Sequence, residues 1–293
     1  MRSLRDIRRR IKSIRGTAQI THAMQMVAAS QMRKAQRATL VPRPFTRLLY
    51  HVARHAITHA PDFTHPLLEV REVRNRGVVL IGTDRGLCGS LNTDLFRLAA
   101  QLDPRTTLYI TVGKRASQFI ARSGRRLAAE FSITNSPHFD DARPIAKFAR
   151  DLFLKREVDQ VLVVTTVFIS TFKQIPAALE FLPIGEIKAF NALKIFGMDL
   201  EAEQADDTTE ILFEPNARTV LEYVFGHALN IFIFRALQEA KASEQSARMV
   251  AMANATDNAN TLIRNLTLEY NKLRQGNITQ EILEIAGGQQ NVG

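Results

Sequence analysis

After Pro215 the sequence contains no proline as far as the Gly287–Gly288 pair, and a helical period of apolar residues runs along the whole stretch. Pro215 suits the first turn of a helix, and the two glycines suit its end. At 1.5 Å per residue such a helix of ~70 residues would be ~105 Å long, more than the core of one domain requires. A helix of that length needs a partner along its apolar stripe. Ala255, Ala259, Leu262, Leu266, Tyr270 and Leu273 supply one, with enough small residues for close approach of a second helix.

The other end of the chain offers that second helix. Leu4, Ile7, Ile11, Ile14 and Ala18 recur at intervals of three and four, the narrow seam of a coiled coil. The stripe is expected to continue through Ala23, Met24, Val27, Ala28, Met32 and Ala35, with Arg33, Lys34 and Arg37 outside it. The start, with Arg2, Arg5, Arg8, Arg9 and Arg10, has the composition of a transit peptide. The regular apolar spacing favours a retained helix instead. Pro42 and Pro44 interrupt it, a looser helix is expected over 45–58, and Pro61 and Pro66 mark a connector.

Charge is distributed unevenly. The chain carries a net +10, and residues 1–60 hold 13 Lys/Arg against the single acid Asp6, whereas 216–293 balance at seven of each sign. The basic element calls for an acidic protein partner or a nucleic acid. No aromatic residue precedes Phe45, so there is no stacking platform for single strands. No membrane span is expected, since no apolar run approaches the ~20 residues that one needs. Cys88 is the only cysteine, which excludes an internal disulfide and a Cys-rich zinc site.

Between Gly77 and Phe213 the pattern changes to short β-branched runs alternating with helical ones. Val78–Ile81, Leu108–Val112 and Val161–Thr166 are expected as strands, with helices near 92–102, 114–123 and 143–155. The alternation implies βαβ crossovers and a mainly parallel sheet covered on both faces. Residues 197–209 are acidic and polar, and are read as a loop. The expected fold is α+β or α/β: a long antiparallel coiled coil of N- and C-terminal helices with an inserted Rossmann-like α/β domain. Its parts are an N-terminal coiled-coil helix (1–60), a connector (61–76), the α/β domain (77–213), the long C-terminal helix (214–286) and a tail (287–293).

Chemistry-bearing motifs are sparse. Thr83–Asn92, TDRGLCGSLN, lies between a strand and a helix, where a phosphate-binding loop would lie. Its glycines Gly82, Gly86 and Gly89 fit neither GxGxxG nor a P-loop, and a structural turn is the favoured reading. Gly113–Lys114 is weaker still. His51, His55 and His59 share one helical face without HExxH spacing or a carboxylate cluster, and are read as solvated. Cys88 has no histidine partner and is read as a small buried side chain. These residues contain no catalytic constellation, cofactor fingerprint or metal site. A nucleotide-dependent α/β enzyme and a basic coiled-coil nucleic-acid-binding protein remain alternatives.

Three blocks carry a family resemblance. Ile20–Gln36, ITHAMQMVAASQMRKAQ, resembles the N-terminal signature of the gamma subunits of rotary F-type ATP synthases, and TDRGLCGSLN resembles their central signature. Ser243–Ile285, SEQSARMVAMANATDNANTLIRNLTLEYNKLRQGNITQEILEI, resembles their C-terminal run, and the blocks follow in family order. The resemblance implies a non-catalytic shaft inside a ring of three alpha and three beta subunits. Its α/β foot would meet the epsilon subunit and the ring of proton- or sodium-carrying c subunits, with 211–215, including Phe213 and Glu214, in the corresponding segment. By motif position Arg274 and Gln275 resemble residues that hydrogen-bond a catalytic-subunit loop, Met24 lies near the beta-subunit lever, and Arg248 holds a position linked to energy coupling. No cofactor, nucleic acid or membrane span is implied, and the expected place is peripheral, on the cytoplasmic face of a bacterial inner membrane. His22 and Gln25 depart from charges found in many relatives. Gly276 should cost ~1 kcal/mol relative to alanine and soften the helix locally, and the regulatory cysteine pair of chloroplast relatives is missing.

Overall fold

The computed structural model describes residues 3–40, 48–49, 52, 64–184, 213–214 and 216–288. The helix expected over 45–58 lies almost wholly outside them, as do the three histidines, the acidic stretch 197–209, and Ile211, Leu212 and Pro215. In chain order the elements are α1 (Leu4–Leu40), a 3-10 turn (Pro66–Leu68), β1 (Arg76–Ile81), α2 (Leu91–Ala100), β2 (Thr107–Val112), α3 (Lys114–Arg122), β3 (Arg126–Phe131), α4 (Phe139–Leu154), β4 (Gln160–Ser170), β5 (Lys173–Leu182) and α5 (Ala217–Gly288). Both long helices exist, and α5 has 72 residues.

The chain divides into two compact units, one formed by Met1–Ala28 with Met249–Gly293 and the other by Ala29–Arg248. In the first, the helices run antiparallel. Thr21 and Thr256 share a hydrogen bond of 2.7 Å between their hydroxyls, and the Arg8 guanidinium lies 5.8 Å over the ring of Tyr270. Partners therefore descend along α1 as they ascend along α5. Ile7, Ala18, Thr21 and Ala28 are buried in α1, while Ala23 and Val27 face outward. The interval of three and four passes through Thr21 and the half-buried Gln25, so a polar pair continues the seam where hydropathy alone suggested Ala23 and Val27. On α5, Leu266 is buried and Ile263 half-buried, whereas Leu262 and Leu273 are exposed.

The second unit is built on a five-stranded sheet ordered β3-β2-β1-β4-β5. The first four strands are parallel and β5 returns antiparallel to β4. β1 alternates its side chains cleanly. Val79 and Ile81 enter a core with Ile145, Ala149 and Phe153 of α4 and Leu221, Phe225, Leu229 and Phe232 of α5. Val78 and Leu80 face Leu95 and Ala99 of α2 and Ala116 and Ile120 of α3. Covering both faces is what makes the central strands continuously apolar. The three expected strands and three expected helices are all present. Helix α4 starts four residues before the expected 143, because the Asp141 carboxylate accepts the His138 N–H at 2.8 Å and closes the first turn ahead of Pro144.

Two strands stand outside the sequence expectation. β3, RLAAEF, is half-exposed and lacks β-branched residues, and β5, KQIPAALEFL, combines Pro176 with helix formers. Both are edge strands, where proline is tolerated and pairing overrides local propensity. The beginning of α5 also differs from expectation. Within α5 an 18-residue window is apolar enough, by length and composition, to cross a membrane, but 61% of that window is buried inside the protein. Its Leu221, Val224, Phe225, Ala228, Leu229, Phe232, Ile233 and Ala236 are core residues of the sheet unit.

Candidate functional site

Residues Thr83–Asn92 form a turn held by hydrogen bonds within it and from α3 and α5. Thr83 Oγ1 donates to the Arg85 carbonyl at 2.8 Å, and Asn92 Nδ2 donates to Thr83 Oγ1 at 2.8 Å and to Cys88 Sγ at 3.3 Å. Asp84 Oδ1 accepts the N–H of Lys114 at 3.1 Å, placing a carboxylate against the first turn of α3. Leu87 and Gly89 adopt left-handed φ values of 63° and 59°. Behind the turn, Gly82 and Gly113 bring two backbones together: a Cβ on Gly113, whose φ is +93°, would lie 2.8 Å from the Gly82 oxygen. Cys88 is 2% exposed, and burial pushes its thiol pKa up, which keeps it protonated and unreactive.

Arg248 of α5 closes this turn. Its Nη2 donates to the carbonyls of Gly86 at 3.3 Å and Arg85 at 3.4 Å, and to Glu244 Oε1 at 2.8 Å. Nη1 reaches Gln245 Oε1 at 3.2 Å. The other oxygen of Glu244 receives Lys241 Nζ at 3.0 Å. Lys241, Glu244 and Arg248 are all buried, so one carboxylate bridges two cations away from water. A phosphate-binding loop points N–H groups at an anion; this turn points carbonyl oxygens at a guanidinium, the opposite polarity. The geometry supports the structural reading of TDRGLCGSLN. It also explains why two segments 162 residues apart belong together.

The other residues singled out from sequence do not converge on one site. Phe213 is half-buried against the core of the sheet unit, and Glu214 is exposed. In the helical unit Met24 is half-buried, and Arg274 and Gln275 are exposed. The register set by Thr21–Thr256 and Arg8–Tyr270 places Met24 and Arg274 about 30 Å apart along the pair, at opposite ends. From Asn271 to Leu283 every residue of α5 is exposed, including Ile278, Ile282 and Leu283. On α1, Ile20, Met26 and Val27 are each more than half exposed. Arg5, Arg8, Arg9, Arg10, Lys12 and Arg15 are exposed as well. The surface of this unit is therefore apolar and cationic at once, the composition of a contact surface for acidic, partly apolar partners. Among the described residues no group of three or more His, Cys, Asp or Glu side chains is arranged to hold a metal ion.

Comparison with known proteins covers nearly the whole chain. A family model described as ATP synthase matches residues 3–292. The chain is similar to the ATP synthase gamma chain of Opitutus terrae, at 42% identity over 291 residues, covering 99% of this chain and 98% of the relative. It is 39% identical to that of Methylacidiphilum infernorum over 298 residues, 100% of both chains. Among solved structures, a chain of the Euglena gracilis mitochondrial ATP synthase rotor superposes with a TM-score of 0.65 at 20% identity, covering 94% of this chain and 98% of that one. One from the central stalk and c-ring of the Tetrahymena thermophila enzyme gives 0.60 at 24% identity, covering 80% and 99%. These two likenesses are of fold.

Proposed function

Because the chain belongs to the ATP synthase gamma-chain family, we propose that it is the central rotor shaft of such an enzyme, coupling ion-driven rotation of a c-ring to nucleotide turnover in a ring of three alpha and three beta subunits. The observation that carries this reading is the antiparallel pair of terminal helices, whose outward faces combine exposed Ile20, Met26 and Val27 with a run of exposed Arg and Lys. A surface of that kind lowers its free energy inside an acidic collar, and its charges favour correct orientation over wrong partners.

The helical unit is the part that enters the catalytic ring, and the sheet unit is the foot that meets the epsilon subunit and the c-ring, with the segment around Phe213 and Glu214 on that side. The subunit is then peripheral, at the cytoplasmic face of a bacterial inner membrane. Rotation acts on catalysis as a population shift: each beta subunit changes state only through contacts that differ between shaft orientations. Driving a two-state equilibrium from 1:99 to 99:1 takes ~5.5 kcal/mol of such difference. Two helices with different side chains, one of them continuing past the other's N-terminus, present a different face in every direction, and that asymmetry is what the mechanism needs.

Met24, Arg274 and Gln275 are assigned to contacts with the catalytic subunits and Arg248 to the coupling between foot and shaft. Replacing Arg274 and Gln275 together by alanine should lower the ATPase activity or coupling of the reconstituted complex and leave the helix content of the subunit unchanged, because both side chains are exposed. Full activity and coupling in that variant would remove their assigned role. The chain alone should neither hydrolyse ATP nor bind it tightly, and titration calorimetry of the purified chain with ATP checks this.

A further inference from the structure

Helix α5 is attached to the sheet in two different ways. From Leu221 to Leu237 its inward face is apolar and packs on β-strand and α4 side chains. From Gln238 to Ser246 it is buried on every side although most of its residues are polar. There its side chains reach across to backbone groups at the carboxyl end of the sheet. Glu239 Oε2 accepts the N–H of Phe168 at 3.3 Å, Ser243 Oγ donates to the Thr166 carbonyl at 3.2 Å, and Ser246 Oγ donates to the Thr171 carbonyl at 2.8 Å. Gln174 Nε2 ties the same hairpin, donating to the carbonyls of Ser170 and Thr171 at 2.9 and 3.1 Å and to Ser246 Oγ at 3.5 Å. Residues 239, 243 and 246 are spaced by four and three, so they lie on one face of the helix, and Arg248, two residues on and on the opposite face, adds its two carbonyl contacts to the turn at Arg85 and Gly86.

The difference in chemistry has a mechanical meaning. Apolar packing is non-directional and resists separation of the layers more than a rotation of one within its bed. Hydrogen bonds are directional, and a shift of under ~1 Å takes a 2.8 Å bond beyond its useful range. Buried serines in mid-helix are also poor helix formers compared with alanine, and their usual recourse is a bond to their own helix. Ser243 and Ser246 bond across to the sheet instead.

We infer that Glu239, Ser243 and Ser246, together with Arg248, form a polar bolt that fixes the rotational setting of α5 on the sheet and thereby carries torque between foot and shaft. Glu239, Ser243 and Ser246 are positioning residues, acting through α5 rather than on nucleotide or ion. The inference rests on the rotor reading above. The test uses the whole ion-pumping complex in liposomes, with Ser243→Ala and Ser246→Ala combined in this subunit, and measures ATP hydrolysis and ATP-driven ion uptake in parallel. The expected result is hydrolysis that continues while ions pumped per ATP fall by about two- to tenfold, the range for residues that transmit coupling without touching a ligand. Unchanged pumping per ATP overturns the bolt. A purely structural role would lower assembly and hydrolysis together and leave the ratio intact, which overturns it equally. Should the double variant not assemble, Glu239 decides: Glu239→Gln retains the acceptor for Phe168 N–H and should pump normally, and Glu239→Met should lose pumping per ATP. Equal ratios in these two overturn the proposal. Failure of the unaltered chain to support any ATP-driven pumping would instead sink the rotor reading beneath it.

Discussion

Glu244 should be the costliest single side chain to neutralise in the buried ionic cluster, ahead of Arg248. The comparison turns on what each substitution leaves behind. Arg248→Met leaves Lys241 and Glu244, 3.0 Å apart and of opposite sign, so the remaining pair is balanced in charge. The loss is one charge-assisted bond of 2.8 Å, the 3.2 Å bond to Gln245 and two longer contacts to the Arg85 and Gly86 carbonyls, together about 1–3 kcal/mol. Glu244→Gln leaves two cationic side chains, Lys241 and Arg248, which are 3% and 10% exposed, without the carboxylate that bridges them. Removing the compensating partner of buried charge costs about 3–5 kcal/mol. Adding Lys241→Met to Glu244→Gln should recover part of that loss, because one of the two stranded cations goes with it. Urea unfolding of the purified chain followed by far-UV circular dichroism, with linear extrapolation, measures all three. Equal losses for Glu244→Gln and Arg248→Met, or no recovery in the double variant, would refute the bridging role given to Glu244.

Other outcomes follow from single positions. Gly276→Ala should stabilise α5 by about 1 kcal/mol, since this exposed helical glycine has nothing within 4 Å of a new Cβ; thermal unfolding with a helix-sensitive probe checks it. Gly113→Ala should destabilise the sheet unit by about 1–3 kcal/mol or more, because φ is +93° and the added carbon would sit 2.8 Å from the Gly82 oxygen; urea midpoints measure the loss. His65 accepts the N–H of Leu67 on Nδ1 at 3.1 Å, and its pKa is lowered by burial first and by Arg150 in addition, against an opposing contribution from Glu222. A histidine with a lowered folded pKa contributes stability that is present above its ordinary value of 6.5 and lost as pH falls through the folded value. Thermal stability should therefore decline as pH drops below about 6.5, and His65→Asn, which can still accept from Leu67, should flatten that part of the profile.

The terminal helices were legible because periodicity over tens of residues averages out local exceptions. The central strands were legible because a parallel sheet covered on both faces demands unbroken apolar runs such as VVLI and VLVV. Edge strands escape that logic: RLAAEF and KQIPAALEFL are held by their neighbours, and nothing in their own residues distinguishes them from loop or helix. The seam of α1 does not follow the apolar residues Ala23 and Val27, which are exposed, but the heptad spacing through Thr21 and Gln25. Thr21 keeps its place by bonding Thr256 across the pair. The positions drawn from the family motifs were visible in sequence. The carbonyl clasp of Arg248 was not, because Gly86 lies 162 residues away and the contact uses backbone oxygens, which have no signature in side-chain identity. Glu239, Ser243 and Ser246 were equally invisible: on sequence alone a polar stretch in a long helix reads as a solvated face.

The central claim is that this chain turns inside a catalytic ring. Lys155 is exposed on the sheet unit, and Lys155→Cys gives an accessible thiol for a bead, Cys88 being buried. With the alpha and beta subunits fixed to a surface and ATP supplied, the account predicts continuous one-way rotation of the bead in three steps per turn. ATP hydrolysis by the assembled complex with the bead at rest would contradict it.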